Sequence, residues 1–151
     1  MIFSQGKLKL NDFNRCHFMY WNTTNNKESC PYIYMDYNAG PFRSPEELKY
    51  SLQTEKIDVY SMGNIFYILL TGQYPFEVDE EKKGEKFVQQ LVKKGTKPHL
   101  SDEFLQSSDP SIQTLIHAME LCHTYDWKLR PHSFEIRDYL RNSLHAATGQ
   151  K

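Results

Sequence analysis

Between Ile57 and Leu70, apolar residues fall on every side of a helical projection: Ile57, Val59, Met62, Ile65, Phe66, Ile68, Leu69 and Leu70. A helix that is apolar all round is one its neighbours bury on all sides. The run is too short and too interrupted to span a bilayer, so it is expected to be an interior rod. Asp58 stands near its N-terminal end, where a carboxylate suits the helix dipole. Gly72 follows the last apolar residue and Pro75 lies just beyond, which together read as a helix stop. Whatever else this chain forms has to pack around that rod.

The 151 residues are enough for one domain with a real core. A hydrophobic share of 39% beside 25% charged residues is the composition of a globular domain. The formal net charge of −1 offers no general attraction to nucleic acid or acidic lipid, so neither is expected as a partner. Cys16, Cys30 and Cys122 are odd in number and widely spaced, without a Cys-x-x-Cys pair. They suggest buried reduced thiols, not a disulfide framework or a zinc knuckle. No charged-then-apolar leader and no membrane-length segment is read, which points to a cytoplasmic or nuclear setting without membrane insertion.

Along the chain, Lys7-Leu8-Lys9-Leu10 alternates and reads as a short strand or half of a hairpin. Residues 14–43 lack a sustained helical period and read as a long loop, of the kind that is usually functional or partly disordered. Ser44-Pro45-Glu46-Glu47 is a helix start: Ser44 as cap, Pro45 at the first helical position, Glu47 closing a capping box. That helix should end before Gln53. Glu77 to Lys86 is a mixed charge run and reads as a solvated loop entering a helix, whose apolar face is Phe87, Val88, Leu91 and Val92 and whose stop is Gly95 and Pro98. Asp109-Pro110 opens another helix, with Ile112, Leu115, Ile116 and Met119 on one side. Ser133 is placed as the cap of a last helix carrying Ile136, Tyr139, Leu140 and Leu144. Residues from 143 on read as fraying, and 146–151 as a disordered tail.

Four motifs lie in order on this frame. Asp12-Phe13-Asn14 ends the first strand region. Ser44-Pro45-Glu46 opens the short helix. Asp58-Val59-Tyr60-Ser61-Met62-Gly63 begins the rod, and Arg130 precedes Pro131. In this order the chain resembles the activation segment and lower C-lobe of a eukaryotic-type protein kinase, from about Lys7 to about Leu144. The three stretches stand where that family has Asp-Phe-Gly, Ala-Pro-Glu and Asp-x-Trp-Ser-x-Gly. The resemblance implies a mainly α fold: a partial kinase C-lobe, a helical bundle around a buried central helix with a short N-terminal strand or hairpin. It implies a partial kinase domain over 1–145, with the activation segment at 12–46 and lower-lobe helices at 44–145.

The same resemblance implies roles. Asp12 would hold Mg²⁺ against the phosphates of ATP, work suited to a hard anionic oxygen. Asn14 replaces a glycine and is the least costly substitute where φ must be positive. Glu46 and Arg130 would form an ion pair tying the end of the activation segment to the loop before the last helix. Asp58 would accept hydrogen bonds from the catalytic-loop backbone. Thr23, Thr24, Ser29 and Tyr32, with Tyr34 and Tyr37 further on, are hydroxyls open to phosphorylation in the activation loop. The plain alternatives are a strand-to-loop turn at Asp12, two unrelated surface charges at 46 and 130, and an ordinary helix-terminal carboxylate at Asp58.

Three departures count against catalysis by these residues alone. Asn14 weakens the metal-loop motif. No threonine stands near Ala39. No His-Arg-Asp catalytic loop, strand lysine or glycine-rich phosphate loop lies ahead of Asp12. Phosphoryl transfer needs all those parts in register. The chain is therefore expected to be part of a kinase whose whole would move the ATP γ-phosphate to a protein Ser/Thr or Tyr hydroxyl. ATP and Mg²⁺ would serve that whole, and no cofactor is expected for the 151 residues by themselves. Partners would be a protein substrate or the kinase N-terminal half. The alternative is a non-catalytic, pseudokinase-like interaction module using helices at 85–94 and 110–122 as contact faces. A metal enzyme built on His17, Asp36 and the carboxylates at 79–81 lacks ligand spacing.

Overall fold

The computed structural model describes residues 2–9, 16–18, 20, 21, 29, 30, 40 and 42–148. The chain divides into two units, Met1–Pro31 and Tyr32–Lys151. In the first, β1 (Ile2–Ser4) and β2 (Lys7–Lys9) pair antiparallel, with Phe3 opposite Leu8. Gln5 and Gly6 join them at φ 53° and 71°. Two positive φ values in a two-residue loop make the turn whose twist suits a hairpin. A second pair, β3 (Tyr20–Trp21) with β4 (Ser29–Cys30), sets Trp21 opposite Ser29 inside the stretch expected to be loop.

The second unit holds seven helices among the described residues. The short α1 (Pro45–Leu48) is built as its sequence dictates. Ser44 Oγ accepts from the Glu47 N–H, and Glu47 Oε2 accepts from the Ser44 N–H at 2.8 Å. The rod is α2 (Lys56–Thr71), closed by Gly72 at φ 72° with its N–H on the Ile68 carbonyl. It feeds three core clusters. Tyr60 joins Leu48, Phe76, Val88 and Val92. Val59 joins Ala118, Cys122 and Ile136. Tyr67 joins Leu100, Ile116 and Met119.

The rod is central but not enclosed all round. Its buried side carries Val59, Tyr60, Gly63, Asn64 and Tyr67. Asp58 is exposed, Ile65 is half-buried, and Leu69 keeps 61% of its surface open. Asp58, Ile65 and Leu69 are seven and four residues apart, so they form one stripe down the helix. Periodicity could not resolve this asymmetry, because Ile65 and Leu69 on the uncovered stripe are as apolar as the residues that are covered.

Further expectations are corrected. The charge run is a helix, α3 (Glu77–Lys83), and not a loop. Glu77, Asp79 and Glu80 lie in its first turn and Lys82 and Lys83 in its last, which is how charge stabilises a short helix with no buried face. Phe76 before it takes φ 61°, costly for a non-glycine residue, while its ring lies in the first core cluster. A short α5 (Asp102–Leu105), not foreseen, seats Phe104 against the third cluster.

The apolar sides of α4 (Glu85–Lys93) and α6 (Pro110–Cys122) face the interior. Val88 and Val92 pack with Leu48, and Ile116, Ala118, Met119 and Cys122 lie within the two clusters under α2. Asp109 caps α6 as expected, its Oδ1 accepting from the Ser111 N–H at 2.7 Å. In α7 (Ser133–Thr148), Ser133 is the first helical residue and not the cap. The helix start is closed instead by Glu135, whose Oε2 accepts from the His132 N–H at 2.7 Å. The helix continues through Thr148, past the expected onset of fraying, with Leu144 60% exposed. Residues 149–151 lie outside the described residues.

Candidate functional site

Glu46 sits in the first turn of α1, and the tight Ser44–Glu47 capping box fixes the direction of its side chain. Arg130 closes the turn that follows α6, its N–H donating to the Asp126 carbonyl at 3.0 Å. These residues, 84 positions apart, meet in the interior: Arg130 Nη2 donates to Glu46 Oε1 at 2.8 Å and Nη1 reaches Oε2 at 3.5 Å. The two residues keep 4% and 1% of their surface. They are therefore a buried ion pair, and the surface-charge alternative is excluded.

The remaining guanidinium protons are also used. Nε donates to the Thr124 carbonyl at 2.9 Å, Nη1 to the Lys56 carbonyl at 2.8 Å and Nη2 to the Tyr125 carbonyl at 3.4 Å. All five N–H groups of a planar fork thus find acceptors, which is the condition for holding an arginine away from water. The guanidinium also lies over the Tyr60 ring, 5.1 Å from its centroid. Burial pushes the Tyr60 phenol well above its usual range, so it stays neutral there.

Neighbouring contacts extend the site. Lys56 Nζ donates to the Arg130 carbonyl at 2.5 Å. Burial, aided to a smaller degree by the nearby Arg130 cation, holds the Lys56 ammonium below its usual pKa, while Glu55 and Glu135 act the other way. Tyr125 donates from its hydroxyl to the Lys93 carbonyl at 2.8 Å, tying the same loop to the end of α4. The His123 ring also lies beside Tyr60, centroids 4.8 Å apart, and its Nε2 donates to Asn64 Oδ1 at 3.0 Å. Burial lowers the His123 pKa to about 3, so the ring is neutral. Gly63 passes so close that a Cβ there would stand 2.8 Å from Cys122 Cβ and from the His123 ring.

Asp58 points elsewhere. It is exposed at the head of α2, and its carboxyl is pushed above the usual range by partial desolvation and by the carboxylates of Glu47 and Glu55. One turn on, Ser61 Oγ donates to the Phe42 carbonyl at 2.9 Å, and Arg43 pairs with Glu47 at 2.9 Å. The last residues before α1 are thereby tied to α2 through Phe42 and to α1 itself through Arg43.

Asp12, Asn14, Thr23, Thr24, Tyr32, Tyr34, Asp36, Tyr37 and Ala39 lie outside the described residues. Ser29 is placed only by its backbone, in β4 opposite Trp21. Cys122 is fully buried, as expected of a structural thiol, but Cys16 is exposed. His17 is exposed too, and among the described residues no three His, Cys, Asp or Glu side chains gather as a metal ion would need. No described helix is long and apolar enough to cross a membrane. Sequence reasoning found Glu46 and Arg130 but missed Lys56 and the carbonyls of Thr124 and Tyr125. None of these left a signal in the sequence, because every one of these bonds ends on a backbone carbonyl.

The family profile described as protein kinase domain matches residues 1–139. Similar curated proteins include the probable serine/threonine-protein kinase roco11 of Dictyostelium discoideum, 34% identical over 89 residues, which is 59% of this chain and 6% of that protein. The mitogen-activated protein kinase kinase 1 of Arabidopsis thaliana is 29% identical over 82 residues, 54% of this chain and 21% of that protein. The putative mitogen-activated protein kinase kinase kinase 7-like protein of Drosophila melanogaster is 28% identical over 109 residues, 72% of this chain and 27% of that protein. The chain thus spans between 6% and 27% of the length of these relatives. With the family profile covering most of it, and a mainly helical fold built on one central helix, the chain belongs to the protein kinase domain family.

Proposed function

We propose that these residues are the activation segment and lower C-lobe of a protein kinase, and that the whole protein transfers the ATP γ-phosphate to a protein hydroxyl. The observation that carries this reading is the buried Glu46–Arg130 pair, which joins the end of the segment at α1 to the loop before α7. Three relatives are named serine/threonine-protein kinases, which favours a Ser/Thr acceptor. In the reaction, this stretch supplies a rigid platform for the substrate-facing segment. ATP and Mg²⁺ would supply the phosphoryl group and its charge neutralisation, with Asp12 the residue assigned to the metal by resemblance. Asp58, exposed and held above the usual carboxylate range, is suited to accept N–H donors from a catalytic loop, which would favour its charged form.

By itself the 151-residue chain turns over no ATP, because it contains no His-Arg-Asp base and no phosphate cradle. Incubation of the purified chain with Mg-ATP and a generic protein substrate is expected to yield no phosphoprotein and no ADP. ADP release above that of the Asp12→Ala variant overturns this. The reading of the whole protein is tested on the transcript ahead of the Met1 codon. An in-frame His-Arg-Asp with an Asn a few residues on supports it. An immediate in-frame stop codon removes the catalytic part and leaves a non-catalytic, pseudokinase-like module, the reading that Asn14 favours.

A further inference from the structure

Residues 56 and 130 are bonded to one another twice, each through its side chain to the other's backbone carbonyl. The Arg130 Nη1 donates to the Lys56 carbonyl at 2.8 Å, and the Lys56 Nζ donates to the Arg130 carbonyl at 2.5 Å. Lys56 is 7% exposed and Arg130 1%. Two cations buried side by side repel one another, and burial alone disfavours the lysine charge. An apolar side chain at position 56 would avoid both costs, so the ammonium is explained by the bond it makes and not by packing.

That bond completes the hold on Arg130. Its N–H is on the Asp126 carbonyl, its five guanidinium protons are placed, and its carbonyl accepts from Lys56. Pro131 follows and brings no N–H of its own. On the far side of Pro131, His132 Nδ1 lies 3.1 Å from Glu55 Oε1. Glu55 and Lys56, the cap and first residue of α2, therefore grip the chain on both sides of the proline, while the guanidinium reaches past them to Glu46.

We propose that Lys56 is a positioning residue for the activation-segment anchor. It fixes the Arg130 main chain, and so aims the guanidinium at Glu46. Its influence on α1 then passes through Arg130 and does not exist apart from the ion pair.

The test is amide hydrogen exchange on the full chain. The N–H groups of Leu48, Lys49, Tyr50 and Ser51 donate to carbonyls of residues 44–47 and report the closure of α1 around Glu46. Lys56→Met keeps the stem and removes the donor. The expected result is a loss of protection at these four amides of about tenfold or more, matching the loss in Glu46→Gln, with the α6 amides changed by less than about threefold. The double variant is expected to lose no more than Glu46→Gln alone, as it must if both act through one pair. Unchanged protection at α1, a uniform loss across α1 and α6, or losses that multiply in the double variant would each overturn the proposal. If Lys56→Met does not fold, Lys56→Leu, which also removes the donor, carries the same measurement. The readout is the anchor and not phosphoryl transfer, so it holds or fails independently of the kinase chemistry.

Discussion

Arg130→Met is the perturbation that most directly interrogates the site. Methionine replaces the arginine stem with one of similar reach and removes all five donors. The first cost is the Glu46 carboxylate, left 4% exposed without its cation. Removing one member of a buried pair costs about 3–5 kcal/mol. The second cost is the carbonyls. Water can reach those of Thr124 and Tyr125, in a half-buried and an exposed residue, and the Lys56 carbonyl, at the first position of α2, loses its second donor while the helix supplies the first. Losing these bonds adds about 1 kcal/mol. The sum belongs at the upper end of the pair range, about 5 kcal/mol, against a total stability of about 5–15 kcal/mol for a domain. At about 2–4 °C per kcal/mol for a chain of this size, the melting temperature should fall by roughly 10–20 °C. The assay is urea and thermal unfolding followed by far-ultraviolet circular dichroism. Glu46→Leu combined with Arg130→Met should be more stable than Arg130→Met alone, because the uncompensated charge is gone. A loss below about 1 kcal/mol in the single variant is the behaviour of a surface pair and would refute the reasoning. So would a double variant as unstable as the sum of its parts.

Three further outcomes follow from the same core. Gly63→Ala should lower the urea midpoint by the equivalent of about 1 kcal/mol or more, because overpacking against Cys122 and His123 outweighs the better helix propensity; an unchanged midpoint would show that the helices can separate freely there. The His123 pKa is lowered from 6.5 to about 3, so the unfolded chain binds a proton that the folded chain refuses. Its contribution to stability is complete above pH 6.5 and is lost as pH falls towards 3, at up to about 1.4 kcal/mol per pH unit. His123→Gln should remove that slope between pH 6.5 and 5, and a wild-type curve parallel to the variant's would contradict it. Burial pushes the Cys122 thiol up to about 12, whereas Cys16 is exposed. A thiol reagent at pH 8 should label Cys16 in the native protein and Cys122 only after denaturant; equal native rates at the two would place Cys122 at the surface.

What could be read from the sequence was what local chemistry decides. The Ser44–Glu47 box, Pro45 at the first helical position, the Asp109 cap and the Gly72 stop each depend on residues within four of one another, and each formed as written. Glu46 and Arg130 were identified only through a family resemblance, since no local pattern links residues 84 apart. Other expectations failed where tertiary context decides. The Glu77–Lys83 run looked like loop because it has no apolar face, yet its charges alone are ordered to support a helix.

Lys56 marks the deeper limit. Helical periodicity sorts residues by hydrophobicity, so it assigns a lysine at a helix head to solvent. The structure places it inside, because one carbonyl on a loop 74 residues away would otherwise lack a donor. A buried cation is tolerated only where its hydrogen bonds are met, and here that requirement is met by backbone and not by another side chain. Backbone groups are the same at every residue and leave no trace in the sequence. The asymmetry between Glu46, legible from its motif, and Lys56, illegible without the fold, therefore follows from what each one binds: a side chain of one kind in the first case, a peptide carbonyl in the second.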